Sequence, residues 1–134
     1  MGGGFFLYKP PVLCYDSGIK EHRRSPMDAI QEIKLNNGQV LVSITGYGGE
    51  DDFYAMYHII EELLQPEHIT YGVDSMCVDG SFRKDGLLVR MSSECVTDCC
   101  CFHYDPKTMS AEEVAKVKGW IDAIVAQLHT QNPR

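Results

Sequence analysis

Long apolar stretches are absent from this chain, and so is any excess of basic residues. No run approaches the roughly 18 consecutive apolar residues that a membrane-spanning helix needs, which excludes a transmembrane role. Only 12 lysines and arginines stand against 19 aspartates and glutamates, which gives a net charge of -7. Nucleic-acid binding depends on a basic surface that neutralises phosphates, so this balance argues against a nucleic acid as partner and against an anionic membrane surface.

The common motifs of catalysis are missing as well. The sequence contains no Gly-x-Ser-x-Gly, no His-Glu-x-x-His, and no His-x-Glu combined with Pro-Cys-x-x-Cys. The five histidines are scattered along the chain, and each has an ordinary explanation in packing or solvation. We therefore expect a protein that is not an enzyme and that carries no cofactor.

What the sequence does contain is the composition of one folded domain. The 134 residues are 44% hydrophobic and 23% charged, close to the usual proportions of globular proteins, so we expect a single domain over 1–134. Three of the six cysteines are consecutive, from Cys99 to Cys101. Because neighbours on a strand point to opposite faces, this run suits a disulfide framework poorly. We expect reduced thiols and a cytoplasmic location.

Periodicity and turn residues predict an α+β fold. The predicted elements are a strand at 2–8, a helix that starts at Ser25-Pro26 and stops at Asn36-Asn37-Gly38, a strand at 39–45, a helix at 50–65, three strands at 69–78, 87–92 and 96–104, and a helix that begins with the capping box Ser110-x-x-Glu113. Asp79-Gly80 and Asp85-Gly86 supply turn residues between the first two of those three strands. The last strands are connected too closely to be parallel. We predict a largely antiparallel sheet with about three helices packed on one face.

The strand at 96–104 places thiols and an imidazole on one face. With a period of two, Cys99, Cys101 and His103 point to the same side, and such groups are the ligands that zinc and copper(I) prefer. Same-face neighbours are about 6.6 Å apart along a strand, so at most an adjacent pair could share one ion. The Cys-x-x-Cys spacing is absent, and cysteine also packs as a small hydrophobe. Core packing is the prediction, and a metal or thiol site is the alternative.

The charge distribution is the most informative feature. From residue 50 to residue 67 there are six acids and neither a lysine nor an arginine. Opposite the apolar stripe of the predicted helix lies an outward row of Asp51, Tyr54, His58, Glu61, Glu62 and Gln65. In the last helical turn the helix dipole disfavours Glu61 and Glu62 by about 0.3–1 kcal/mol each, and we expect no basic residue at i-4 or i+4 to compensate. One explanation is an ordinary solvated helix face; the other is a surface that binds a basic protein.

In size, acidity, compactness and lack of a catalytic motif, the chain resembles the immunity proteins of bacterial toxin–immunity pairs. The resemblance is one of overall profile and rests on no diagnostic motif, so it assigns no role to any residue. It implies a cytoplasmic protein that neutralises a cognate toxin, often a nuclease, by direct contact. A nuclease toxin needs a basic surface to hold phosphates, so an acidic inhibitor can mimic the charge of its substrate. The alternative is a metal- or thiol-dependent enzyme, or a small-ligand-binding domain, that uses the Cys/His-rich strand.

Overall fold

In the part of the chain that the structure describes, six antiparallel strands form one sheet and two α-helices cover one of its faces. This computed structural model describes residues 30–74, 77–94 and 99–134. The strands are β1 (Ile30–Lys34), β2 (Val40–Ile44), β3 (His68–Val73), β4 (Cys77–Lys84), β5 (Leu87–Glu94) and β6 (Cys99–Tyr104). The helices are α1 (Gly49–Leu64) and α2 (Ala111–Gln131), with a short 3-10 helix at Pro106–Thr108. The strand order is β1-β2-β6-β5-β4-β3, so β1 and β3 form the edges.

The predicted α+β class is confirmed, with an antiparallel sheet and helices on one face. The described residues form two α-helices rather than about three. All five strand pairings are antiparallel, as the short connections between the last strands predict.

Alternation along the strands gives the sheet one apolar face. The inward residues of β2 are Val40, Val42 and Ile44, and each is at most 4% exposed. The other strands and both helices complete the core with Phe53, Met56, Ile60, Val78, Phe82, Val89, Met91, Cys100, Phe102, Val117, Ile121, Ile124, Val125 and Leu128. Full burial of one large apolar side chain contributes about 1.5–3 kcal/mol, so this face supplies the main driving force for packing the helices.

Local signals fix the ends of the helices. At the start of α2 the Ser110 hydroxyl accepts the Glu113 N–H at 3.2 Å, and the Glu113 carboxylate accepts the Ser110 N–H at 2.8 Å. The predicted capping box is therefore confirmed. At the end of α1, Gln65 adopts a left-handed conformation with φ of 50° and Pro66 follows it. No helix within the described ranges has the length and apolar character needed to cross a membrane.

The predicted helix after Ser25-Pro26 is wrong for residues 30–34, which form β1. Ile30 fits a helical period, but in the sheet it lies opposite Ile44 and packs against the core. Asn37, predicted as part of the helix stop, instead shapes the hairpin turn, where its side-chain oxygen accepts the backbone N–H two residues later at 2.9 Å. Pairing with a neighbouring strand overrides the local periodicity here.

The strand predicted at 69–78 is two strands, β3 and β4, so the meander contains one strand more than predicted. Asp85-Gly86 makes the turn from β4 to β5, with left-handed φ angles of 53° and 79°. Asp79-Gly80 is not a turn, because both residues lie inside β4. Three parts of the predicted pattern lie outside the described residues: the strand at 2–8, the helix start at 25–29 and the strand residues 96–98.

Gly80 occupies the middle of a strand because the neighbouring strand leaves no room for a side chain. A Cβ at this position would lie 2.6 Å from the carbonyl oxygen of Thr70 and 3.1 Å from the Cβ of Tyr71. A Cβ at Gly72 of β3 would meet nothing within 4 Å. The glycine that resembles a turn residue in the sequence is therefore required for close strand packing.

We expect Gly80→Ala to lower the free energy of unfolding by about 1–3 kcal/mol, because β3 must move to admit the methyl group. Gly72→Ala in the same hairpin is the matched control, and we expect a change of no more than about 0.5 kcal/mol. Urea unfolding monitored by circular dichroism measures both values. Equal effects of the two substitutions would contradict the close approach at Gly80.

Candidate functional site

The outward row predicted from the sequence lies together on the solvent side of α1. Its charged members, Asp51, His58, Glu61 and Glu62, are exposed, while Tyr54 is half-buried. Gln65 is exposed at the C-cap of the helix. The opposite side of α1 carries the buried stripe of Phe53, Met56, Ile59, Ile60 and Leu64. Since this stripe faces the sheet, the row has no contact with the core except through Tyr54.

The two glutamates of the last turn differ in their surroundings. The Nδ1 atom of His58 lies 3.2 Å from Oε1 of Glu61, three residues along the helix. The expectation that no basic residue compensates these glutamates is therefore wrong for Glu61, which has a histidine three residues earlier on the helix. Glu62 makes no ion pair with any residue that the structure describes. No basic residue lies in the last turn of α1 to offset its dipole.

Next to this row, three tyrosines from α1 and β3 contact one another; we call Tyr54, Tyr57 and Tyr71 the tyrosine cluster. The ring of Tyr71 lies 5.5 Å from that of Tyr54 and 5.0 Å from that of Tyr57, centre to centre, both edge to face. Such contacts between rings are favourable by about 0.5–1.5 kcal/mol beyond the buried area. Tyr71 is nevertheless 49% exposed, so the cluster forms part of the surface.

The sequence does not identify Tyr57 and Tyr71 as parts of a surface cluster. The helical period predicts Tyr57 in the apolar stripe, and nothing local distinguishes Tyr71 within its strand. Their contact joins a helix to a strand, so only the tertiary structure reveals it. The one available signal is the presence of three tyrosines within 18 residues, two of them three positions apart on α1.

Carboxylates surround the tyrosine cluster, and they act on the ionisation of its hydroxyl groups. Burial raises the pKa of Tyr54, and the charges of Glu50 and Asp51 raise it further. Burial also raises the pKa of Tyr57, with an added contribution from Glu61. Burial is the larger cause of both shifts, and the smaller contribution of the carboxylates has the sign expected of negative charges near the cluster.

The first turn of α1 contains one acid that is structural rather than exposed. Asp52 is 3% exposed, and its two oxygens accept from both guanidinium nitrogens of Arg134 at 2.8 and 2.7 Å. One of these oxygens also accepts the Gly48 N–H at 2.8 Å, which caps the helix. The guanidinium group lies 4.6 Å above the ring of Tyr47. Asp52 is therefore neutralised inside the protein and takes no part in the outward row.

The Cys/His-rich strand places its reactive groups on the sheet face that the two helices leave uncovered. Cys101 lies opposite Ser43, and His103 lies opposite Leu41, both on that face. Cys99 shares the face but is disulfide-bonded, with a partner outside the described residues. The expectation that all thiols are reduced is therefore wrong for Cys99. Among the described residues, the groups close enough to share a metal ion do not include Cys99, Cys101 or His103.

The grouping that could hold an ion lies instead at the β3–β4 hairpin, where Cys77 is flanked by Asp74 and Asp79. One ligand atom from each residue lies within 4.8 Å of the others. The Cys77 thiol donates to a carboxylate oxygen of Asp79 at 3.2 Å and of Asp74 at 3.6 Å. The hydrogen bond to Asp79, followed by burial and the bond to Asp74, raises the pKa of Cys77 to about 12. The thiol is protonated and a poor nucleophile.

The sheet face opposite the two helices also carries two adjoining depressions, of about 580 and 400 Å³, which meet at Arg90 and His103. The larger is lined in addition by the hydroxyls of Thr70 and Ser81. The Nε2 atom of His103 is buried without a hydrogen-bond partner in the part of the chain described. Burial and the neighbouring Arg90 lower the pKa of His103, which favours the neutral imidazole. This is a polar concavity that could hold a small ligand.

Comparisons with protein-family models, with curated proteins and with solved structures find no match for this chain. Arguments about function therefore rest on the geometry and charge of these surfaces.

We expect Cys77 to react slowly with maleimide at pH 8, because its two carboxylate neighbours hold it in the thiol form. Asp79→Asn removes one negative charge and the carboxylate that accepts the shorter hydrogen bond from the thiol, so the rate should rise by at least about tenfold. Mass spectrometry of the labelled peptide assigns the reaction to Cys77. Asp105→Asn, which removes a carboxylate far from the hairpin, is the control, and an equal rate for Asp79→Asn and the unsubstituted protein would contradict the arrangement.

Proposed function

We propose that this protein binds a basic protein partner through the outer face of α1 and the tyrosine cluster. The observation that supports the proposal best is the contact of the exposed Tyr71 with Tyr54 and Tyr57, beside the exposed carboxylates of α1. Tyrosine is enriched at binding hot spots, because it offers a large contact area with few rotatable bonds. Acids beside it provide charge complementarity to a basic surface and discriminate against acidic partners.

The energetics of α1 support the same proposal. Glu61 has only an exposed imidazole within reach, and Glu62 has no ion-pair partner in the described structure. Both lie at the negative end of the helix dipole, which costs about 0.3–1 kcal/mol for each charge. A basic partner would compensate this cost by supplying the missing positive charge.

Long-range electrostatics favour association with such a partner. The chain carries a net charge of -7, and Asp52, one of the acids of α1, is already neutralised by Arg134. The remaining acids of α1 therefore concentrate the negative potential on its solvent side. A field of this kind increases the association rate of a basic protein, and salt screens the effect.

Within this class, we propose an inhibitor of the immunity-protein kind, with a basic nuclease toxin as the partner to test first. The acidic row would occupy the toxin surface that otherwise holds phosphates. The proposal places the protein in the cytoplasm, where the thiol of Cys77 would stay reduced. The disulfide of Cys99 is the observation against that location.

A second candidate function is the binding of a small ligand on the uncovered sheet face. The buried, unpartnered Nε2 of His103, at the junction of two depressions, favours it. A buried imidazole nitrogen without a hydrogen bond is costly, and a ligand group could supply the missing bond. The metal-dependent form of this candidate is weakened, because the sulfur of Cys99 is already in a disulfide.

We expect the protein to bind a basic nuclease toxin with an association rate that falls as salt rises from 50 to 500 mM. The double variant Glu61→Gln/Glu62→Gln should lower that rate by about three- to tenfold at low salt, because it removes two uncompensated charges. Biolayer interferometry against a panel of basic nuclease toxins measures both effects.

Glu32→Gln/Asp122→Asn provides the matched control, because it also removes two exposed carboxylates, and these lie near Lys118 at the β1 edge, on the side of the sheet opposite β3. It changes the net charge but should leave the rate within about twofold of the original. If all toxins in the panel fail to bind, or if the double variant and the control behave alike, the proposed role of the α1 surface is wrong.

A further inference from the structure

β3 is an edge strand with unpaired backbone groups on its outer side. It pairs with β4 alone in the described sheet. At the hairpin end the Asp74 N–H donates to the carbonyl oxygen of Cys77 at 3.0 Å, so this pair is hydrogen-bonded. Bonded and non-bonded pairs alternate in an antiparallel ladder. Ile69, Tyr71 and Val73 therefore direct their N–H and C=O groups away from β4.

This edge lacks the features that normally prevent strand addition. The sequence of β3, His-Ile-Thr-Tyr-Gly-Val, contains neither a proline nor a lysine. Tyr71 is 49% and Val73 is 55% exposed, so no described element covers the strand. The opposite edge differs, because β1 carries the charged residues Glu32 and Lys34. The Oε2 atom of Glu32 also lies 3.4 Å from Nζ of Lys118 on α2. Among the described elements, the β1 edge is therefore protected and the β3 edge is open.

Acidic groups lie at two places beside this edge, on the helix side and at the hairpin end, whereas Arg83 lies opposite His68 at its other end. The side chains of Tyr71 and Val73 project to the helix side, where the ring of Tyr71 contacts Tyr54 and Tyr57. Glu50 and Asp51 lie near enough to Tyr54 to raise its pKa. At the hairpin end lie Asp74 and Asp79, on either side of Cys77. A strand that pairs with β3 would thus lie among negative charges.

We propose that an extended basic segment of the partner adds to β3 as a seventh strand. This inference rests on the proposed function and specifies how the partner binds. Main-chain hydrogen bonds to Ile69, Tyr71 and Val73 would supply affinity, and lysine or arginine side chains on the helix side would reach the acids of α1. Their cationic groups can also stack on the exposed tyrosine rings.

The charges exclude a second copy of this chain as the preferred occupant. Pairing β3 with the same strand of another molecule would bring two sets of the same carboxylates together. Such like-charge contacts oppose association, whereas a basic segment replaces them with attraction. The occupant that fits both the open edge and its charge is therefore a basic strand from a different protein.

The probe for this inference is a fluorescent octapeptide of alternating lysine and valine, with its binding followed by fluorescence anisotropy. Two further peptides carry N-methyl groups, one on every lysine and the other on every valine. In a strand, alternate residues direct their N–H groups to the same side. Strand addition therefore predicts that one methylated peptide loses binding by at least about tenfold, while the other retains it.

A substitution on the protein side tests the same hydrogen bonds. Val73→Pro removes an outward N–H, and proline is tolerated on edge strands, so the fold should persist. We expect it to weaken binding of the unmethylated peptide by at least about fivefold. Val73→Thr keeps the N–H and is the matched control, with an expected change within about twofold. If Val73→Pro fails to fold, the methylated peptides decide the question on the unsubstituted protein.

The outcomes separate the two proposals. Salt-dependent binding that neither methylation nor Val73→Pro affects would overturn strand addition and leave the acidic docking surface intact. No binding of the unmethylated peptide would also overturn strand addition, whereas the nuclease-toxin assay tests the acidic surface independently. A rise in the apparent mass of the protein alone, measured by light scattering, would contradict the proposed occupant and identify a second copy.

Discussion

Burial of one apolar sheet face beneath two helices determines where the remaining groups of this protein can lie. The strands alternate, so the side chains around Val42 and Phe102 must be covered, and α1 covers part of that face with Phe53 and Met56. An amphipathic helix fixed in this orientation has only one side left for its charged residues. The acids of α1 therefore gather on the solvent side as a consequence of packing, and their lack of basic neighbours is the feature that packing does not explain.

The contact between α1 and β3 links this acidic face to the edge of the sheet. Tyr71 carries the link, because its ring contacts both Tyr54 and Tyr57 while its backbone faces outward. At the other end of the same helix, Arg134 neutralises Asp52 inside the fold. The buried acid of α1 is thus paired with arginine, whereas its exposed acids have no lysine or arginine partner among the described residues. Such a division is what a docking surface for a basic protein requires.

Interactions between residues close in sequence could be predicted, and those between distant residues could not. The capping box joins Ser110 to Glu113, three residues later, and the apolar residues of α1 recur at steps of three or four. Both patterns are therefore visible in the sequence. Ile30 fits a helix and a strand equally, and only pairing with β2 decides between them. The pair Asp79-Gly80 is typical of a turn, but Gly80 lies inside a strand, where the carbonyl oxygen of Thr70 leaves no room for a side chain. The sequence predicts that the residues of the outward row share one face of α1. It does not predict that Tyr54 of this row contacts Tyr71, because that contact joins a helix to a strand.

The central claim is that the outer face of α1 and the adjoining edge of β3 form a single surface for a basic protein. Backbone amide shifts in two-dimensional NMR spectra, recorded while a basic nuclease toxin is added, test it most directly. The account predicts that the largest changes fall on the solvent side of α1 and on β3, and that they diminish at high salt. Changes confined to α2, or to the uncovered sheet face around His103, would contradict it.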